Sequence, residues 1–379
     1  MQTEEFDELC PALSQPKALV IGAGINGWTT ALVLARRGWR VIVVADRFGI
    51  DTAAAVAGPL WEWPPSVGDC HRNQAALTRA AAWALRSYIR FGHLAAEMRP
   101  RVTVRPVVFY FFHPIEEDPA ELAKMVQIQQ LLSGFVHDAA LIDAHGVNPD
   151  AGVVDAYSYL APAIDIESYL SWLTREAELA GVTAVQRRIH GPLIEQEHGL
   201  CAEFGADVIV NGTGFGAREL ADDPTVDSHR GALLRVIDGG VSSRVTATHV
   251  VRTHTYADTR STTFIMPRGV DRLLLGELVE PGQSGTHINL ANHPPLRDML
   301  YRCTEFLPIL RGAQLDDLDP VRVGLRPFRA GGVRLETQPG TRIVHNYGHS
   351  DAGVAVSWGS AHEVADLADE VLAKKASQH

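Results

Sequence analysis

The chain has 379 residues, 46% of them hydrophobic, enough for large cores in about two to three domains. Its 34 Lys and Arg against 45 Asp and Glu leave a net charge of −11, which argues against nucleic acid or an anionic membrane as partner. Four scattered cysteines (Cys10, Cys70, Cys201, Cys303) without a C-x-x-C pair, no apolar run of transmembrane length and no signal peptide before Lys17 argue against a disulfide frame, a metal site or a membrane span, so a soluble cytoplasmic protein is expected.

Residues 1–15 are polar and acidic and read as a loosely held tail. A short apolar run, 18–21, predicts a buried parallel strand. Gly22, Gly24 and Gly27 follow as G-x-G-x-x-G, with Ile25 and Asn26 inside the turn. Apolar side chains at helical spacing come next (Trp28, Ala31, Leu32, Leu34, Ala35), and Gly38 stops the helix. A second apolar strand, 41–44, leads to Asp46. Strand, helix, second strand and acid together form a βαβ dinucleotide fingerprint in its required context. Gly22 permits the tight turn, Gly24 lets the backbone approach a pyrophosphate, and Gly27 lets the helix pack close to the strand. The helix N-terminus offers N–H groups and positive partial charge to the phosphates, and Asp46 stands where a ribose hydroxyl would donate.

Residues 53–65 combine small side chains, including Ala57 beside Gly58, with Trp61, Trp63, Pro64 and Pro65. They read as backbone packed against a flat ligand with a rigid rim, or as an ordinary buried loop. Residues 73–98 predict one alanine-rich helix, 102–112 a strand, 117–132 a helix and 168–179 an amphipathic helix closed by Gly181. Residues 183–189 predict a strand, and 207–214 a buried strand running into a glycine turn. Strands at 233–237, 248–255, 261–267 and 272–278 precede a helix at 294–307. A last strand at 343–348 and a helix over about 354–372 complete the pattern.

Several segments, in order, carry a resemblance: Ile21-Gly-Ala-Gly-Ile-Asn-Gly27, Ala45-Asp-Arg-Phe48, Ala57-Gly-Pro-Leu-Trp61, Tyr169-Leu-Ser-Trp-Leu-Thr-Arg175, Gly205-Ala-Asp-Val-Ile-Val-Asn-Gly-Thr-Gly214, Arg230-Gly231, Gly324-Leu-Arg-Pro-Phe-Arg329, Val344-His-Asn-Tyr-Gly-His349 and Trp358-Gly-Ser-Ala361. With these the sequence resembles the D-amino-acid oxidase family, which includes D-aspartate oxidase, among FAD-dependent amine oxidases. The fold class expected is α/β. A discontinuous Rossmann-type FAD-binding domain (16–60, 164–225 and 335–379) would join a second, β-sheet-rich substrate domain (61–163 and 226–334).

The resemblance implies a tightly held FAD, with Asp46 and Arg47 at the adenosine ribose and phosphate, Ile189 along the adenine, and Thr213 and Gly214 at the diphosphate. Ala57 and Gly58 would pack against it, and Ser350, Asp351, Ala352, Gly353, Val354 and Ala355 would lie along the flavin ring. It implies hydride transfer from the Cα of a D-amino acid to flavin N5, reoxidation by O2 to hydrogen peroxide, and hydrolysis of the imino acid to a keto acid. No general acid–base pair is needed, so His345 and His349 read as structural. Arg326 matches the family arginine that grips the substrate carboxylate and borders the cofactor, a task suited to a guanidinium fork. Arg329 is either a second contact or structural.

The sequence also departs from that family. Arg260 and Phe264 stand where two tyrosines are usual, with Tyr256 nearby. Ser350 and Asp351 replace a glycine pair, the serine being like the D-aspartate branch, and Asp351 would meet the substrate amine or crowd it. Ala355 replaces a flavin-facing threonine, and Glu62 follows Trp61 where a neutral or histidine side chain is usual. The catalytic candidates are Arg326, Arg260, Asp351 and Phe264, in a charged pocket that includes Glu62 and leans towards an acidic or polar substrate. The expected activity is that of an FAD oxidase of a D-amino acid, with the small-molecule substrate and O2 as partners and a homodimer left open. Alternatives are an oxidase of another amine or N-substituted amino acid in a biosynthetic pathway, or a flavin-binding protein without turnover.

Overall fold

The chain alternates between two sheets, and the computed structural model describes residues 15–49, 52, 61–65, 74–97, 102–237, 245–251, 260–268 and 272–377 of it. First come β1 (Lys17–Ile21), α1 (Ile25–Arg36) and β2 (Arg40–Ala45). Their near-continuous apolar runs fit strands covered on both faces. The chain then leaves for α2 (Gln74–Ala96), β3 (Val102–Phe111), α3 (Pro119–Leu131), β4 (Val136–His137), α4 (Ala140–Ala144) and β5 (Asp155–Ile164). It returns through α5 (Ile166–Leu179), β6 (Thr183–Gln186), α6 (Leu193–Phe204), β7 (Val208–Asn211) and α7 (Ala217–Leu220). A second excursion makes β8 (Val226–Ile237), β9 (Thr248–Val251), β10 (Arg260–Arg268), β11 (Arg272–Pro281), α8 (Pro294–Phe306), β12 (Gln314–Leu315) and β13 (Val321–Arg329). Last come β14 (Arg334–Thr337), β15 (Ile343–Tyr347) and α9 (Ser357–Ala376).

One sheet has six strands in the order β14–β15–β7–β1–β2–β6, parallel except for the β14–β15 hairpin. The other has nine, in the order β12–β8–β11–β10–β9–β3–β5–β4, with β13 also paired to β8. Its pairs are antiparallel except β3–β9. One face of the larger sheet, with Phe109, Tyr157 and Phe264, shares a core with Trp28 and Leu32 of α1. The other face packs Leu234, Leu275 and Leu278 against Met299, Cys303 and Phe306 of α8. Among the described residues no helix is long and apolar enough to cross a membrane.

Helix α9 packs on α1 and α2. The Ser87 hydroxyl of α2 accepts from the Trp358 and Gly359 N–H groups at 3.1 and 3.2 Å, donors that the first turn of a helix otherwise leaves unpaired. The Trp358 indole donates to the Tyr169 hydroxyl of α5 at 2.9 Å.

Sequence patterning misses β5, α6 and β13 among the larger elements. Strand β5 is buried almost throughout and so lacks an alternating signal. The Gly324–Pro327 stretch, which no predicted strand covers, lies inside β13. Pro327 is tolerated because, among the described residues, β13 pairs with β8 alone. Strand β8 starts at Val226, β6 ends at Gln186, and α9 starts at Ser357 after a turn that holds Val354.

Gly359 marks a close contact between α9 and α2: an added Cβ would lie 2.2 Å from Trp83 Cα and 2.4 Å from its carbonyl oxygen. Gly359→Ala should force α2 and α9 apart and lower stability by about 1–3 kcal/mol, as overpacking does. Thermal melts of the two proteins check this, and an unchanged melting temperature would contradict it.

Candidate active site

A cavity of about 680 Å³ lies between the two sheets. Its walls include the C-terminal ends of β1 and β2 (Ile21 to Asn26, Val44 to Arg47) and the turns after β6 and β7. Ligands gather at these strand ends in open α/β sheets. Gly324 to Pro327 of β13, Glu277 of β11, residues 349–351 and residues 353–354 also line it.

The glycines there do distinct work. Gly22 has φ +110, and a Cβ on it would lie 2.4 Å from the Gly212 carbonyl oxygen. A Cβ on Gly27 would lie 1.9 Å from the Gly22 carbonyl oxygen, so helix and strand touch there. Gly24 lines the cavity, yet its Cβ would meet nothing within 4 Å; the space it leaves is ligand space. Gly24 also caps α1 without a side-chain bond, and the first turn of α1 carries no acid. The free N–H groups and partial positive charge of that end therefore favour an anion.

Arg326 forms the charged end. Its Nη1 donates to Asp351 Oδ1 at 2.7 Å and its Nη2 to Glu277 Oε1 at 2.6 Å. The arginine side chain is 10% exposed, against 31% for Glu277 and 37% for Asp351, so the cation is the deepest of the three. Burial alone would push the guanidinium pKa down; the charges of Glu277 and Asp351 outweigh this and raise it above its usual range. A Cβ on Gly231 of β8 would lie 2.6 Å from Arg326 Nε, so this glycine makes the room the guanidinium occupies. Glu277 arrives by a bulge. Between the pairs Thr262–Glu277 and Ile265–Leu275, β10 carries two residues where β11 carries only Gly276, which has φ +65. A Cβ on Gly276 would lie 2.0 Å from Met299 Cγ. Asp351 sits in a 3-10 turn (Ser350–Ala352) opened by Ser350 at φ +50.

Residues 17–367 match the family described as FAD dependent oxidoreductase. The chain belongs to that family. It is 35% identical to the D-amino-acid oxidase of Streptomyces coelicolor over 97% of this chain and 100% of that protein. It is 33% identical to the D-amino-acid oxidase of Rubrobacter xylanophilus over 94% and 97%. The glycine oxidase structure from Geobacillus kaustophilus shares its fold, with TM-score 0.74 and 17% identity over 94% of this chain and 95% of that one.

The residues of this FAD-dependent oxidoreductase fit its cofactor: the uncapped α1, the open space at Gly24 and the length of the cavity all suit a dinucleotide. Asn26 Oδ1 is buried without a hydrogen-bond partner at the cavity wall, a further polar group waiting for a ligand. Gly22, Gly24, Ile25, Asn26, Asp46, Arg47, Ile189, Thr213, Gly214, Arg326, Ser350, Asp351, Gly353 and Val354 all line the cavity. Gly27, Ala352, Ala355 and Phe264 do not; the last three are buried in the core. Ala57, Gly58, Tyr256 and the Arg260 side chain fall outside the described residues. Glu62 does not join the pocket: its carboxylate lies 3.5 Å from Lys124 Nζ of α3. Arg329 donates to Asp223 at 2.8 Å and to the Gly332 carbonyl, which makes it structural.

The patterns overlooked Glu277 and the arginines 187, 188 and 218 that also line the cavity. Gly276 inside an apolar strand pattern was the available signal for Glu277, because such a glycine marks a bulge. Among the described residues no cluster of three or more His, Cys, Asp or Glu is placed to hold a metal ion.

His349 joins the cavity wall to the glycine turn: its Nδ1 lies 3.4 Å from Asn26 Nδ2 and its Nε2 3.0 Å from Asn346 Oδ1. Burial lowers its pKa to about 4, and burial with the Arg334 charge lowers that of His345 to about 4. Both are depressed from an unfolded value of about 6.5. Their contribution to stability is full above that value and is lost as pH falls towards 4. The holoenzyme's melting temperature should therefore drop across this window, and less steeply in His349→Gln. Equal slopes would mean that His349 is already charged in the fold.

Proposed function

We propose that this oxidoreductase converts a D-amino acid to its imino acid, which water hydrolyses to a keto acid and ammonia. The names of the curated relatives support the substrate class. One observation carries the reading: Arg326, buried in the cavity wall, presents its terminal nitrogens to carboxylates. Guanidinium and carboxylate are geometrically matched, so the substrate carboxylate can take the place of the Asp351 carboxylate on Nη1. Asp351 then receives the α-ammonium, and one ion pair is exchanged for two without leaving a charge unmatched. Bound FAD supplies the acceptor for the Cα hydride, which leaves once the α-ammonium has given up a proton to solvent, and passes the electrons to O2 as hydrogen peroxide.

Towards the cofactor, Gly22, Gly24, Ile25 and Asn26 with the first turn of α1 would hold the diphosphate, joined by Thr213 and Gly214. Asp46 would accept from the ribose, Arg47 would face the phosphate, and Ile189 would border the adenine. The turn at 350–354 would lie along the flavin. A cytoplasmic setting accords with the acidic composition and unpaired, buried Cys201 and Cys303.

Anaerobic mixing with a panel of D- and L-amino acids tests the activity: the D series should bleach the flavin and the L series should not. Arg326→Leu should keep FAD yet lose about 2–5 kcal/mol in kcat/KM for every amino acid, the usual consequence of truncating one member of a buried charge pair. Undiminished turnover would remove the clamp. Asp46→Ala should weaken FAD binding by about 1.5–3 kcal/mol, the range for a hydrogen bond to a charged group, with little change in the holoenzyme's reduction rate. Equal flavin dissociation constants in mutant and parent would remove the ribose assignment.

A further inference from the structure

Arg326 carries one more carboxylate than a carboxylate clamp requires. One guanidinium faces two acids, so these three groups together bear a net charge of −1. The two acids come from different places: Asp351 from the turn after β15, Glu277 from the bulge of β11. Each holds a different terminal nitrogen. If substrate displaces Asp351, as the clamp role above requires, Glu277 remains on Nη2.

The bound state is then a row of alternating charges: Asp351, substrate ammonium, substrate carboxylate, Arg326, Glu277. Every member has only opposite charges beside it. A carboxylate that lacks the ammonium makes a different row. It puts three anions around one guanidinium in a partly buried site, where like charges repel strongly. The 2-oxo acid formed by the reaction is such a carboxylate.

We propose that Glu277 is a specificity-determining residue that makes the site reject carboxylates without an adjacent ammonium, the 2-oxo acid product included. This rests on the clamp role of Arg326. It is discrimination by repulsion: Glu277 repels every carboxylate, and only a zwitterion recovers the loss, because its ammonium is attracted by Glu277 as well as by Asp351. A 2-oxo acid is therefore neither retained in the site nor readmitted to it.

The test is equilibrium titration of the oxidised holoenzyme with pyruvate and with propanoate, read by flavin absorbance and by calorimetry, beside KM for D-alanine. In the parent, both dissociation constants should exceed the D-alanine KM by about tenfold or more, the scale of one repulsive contact. Glu277→Gln should tighten both carboxylates by about tenfold. It should move the D-alanine KM by less than about threefold, because the carboxylate's gain offsets the ammonium's loss. Glu277→Asp, which keeps the charge, should stay near the parent. Pyruvate bound by the parent as tightly as D-alanine would overturn the proposal. So would Glu277→Gln with unchanged or weaker carboxylate binding. The parent comparison alone decides if Glu277→Gln does not fold. Failure of the clamp reads differently: Arg326→Leu would bind both carboxylates as the parent does, or no D-amino acid would reduce the parent, and either result takes this proposal with it.

Discussion

The ion pair between Arg326 and Asp351 joins the two sheets at the cavity. Arg326 belongs to β13 of the nine-stranded sheet, and Asp351 follows β15 of the six-stranded one. The cation is buried and the acids are partly open to solvent, so desolvation falls mainly on the arginine. A buried charge is tolerable only when it is paired. Glu277 keeps it paired from within its own sheet, and the contact to Asp351 can therefore be exchanged for a ligand without stranding the guanidinium. The recognition group of the pocket is at the same time part of what holds its walls together.

A second tie lets the first one yield. Three residues beyond Arg326, Arg329 donates to Asp223, which also accepts from the Tyr347 hydroxyl of β15 at 2.8 Å. Asp223 is held well below the usual carboxylate range, since the bonds from Arg329, Thr225 and Tyr347 outweigh the cost of its burial. The odd spacing sends the two arginines to opposite faces of β13. Arg326 serves the cavity, and Arg329 fastens the strand to Asp223 and so to β15. The sheets thus stay joined at Arg329 while Arg326 changes partners.

Local chemistry was legible in the sequence; chemistry brought together by packing was not. The turn from Gly22 to Gly27, with Asp46 just after the next strand, is one continuous βαβ unit whose pattern lies in adjacent residues, although Gly22 also packs against Gly212. Arg326 was found by resemblance, but no strand was read around it, so the strand parity that separates it from Arg329 went unused. Glu62 was placed in the pocket because it follows Trp61; its environment is set by Lys124, from a helix more than fifty residues away. Glu277 escaped for a similar reason. Its direction depends on a bulge defined by strand pairing and on Met299 of α8 filling the space beside Gly276.

The six-stranded sheet gathers β1 and β2, then β6 and β7, then β14 and β15, from stretches separated by long excursions. Asn26 and His349, which meet at the cavity wall, are 323 residues apart. During synthesis the phosphate turn at Gly22 leaves the ribosome among the first parts of the fold, but the wall that faces it leaves among the last. Until β15 has been made, the nascent chain carries half a cradle. Cofactor capture is thereby tied to synthesis of β15, and a chain truncated before it would have the phosphate turn without the wall that closes over it.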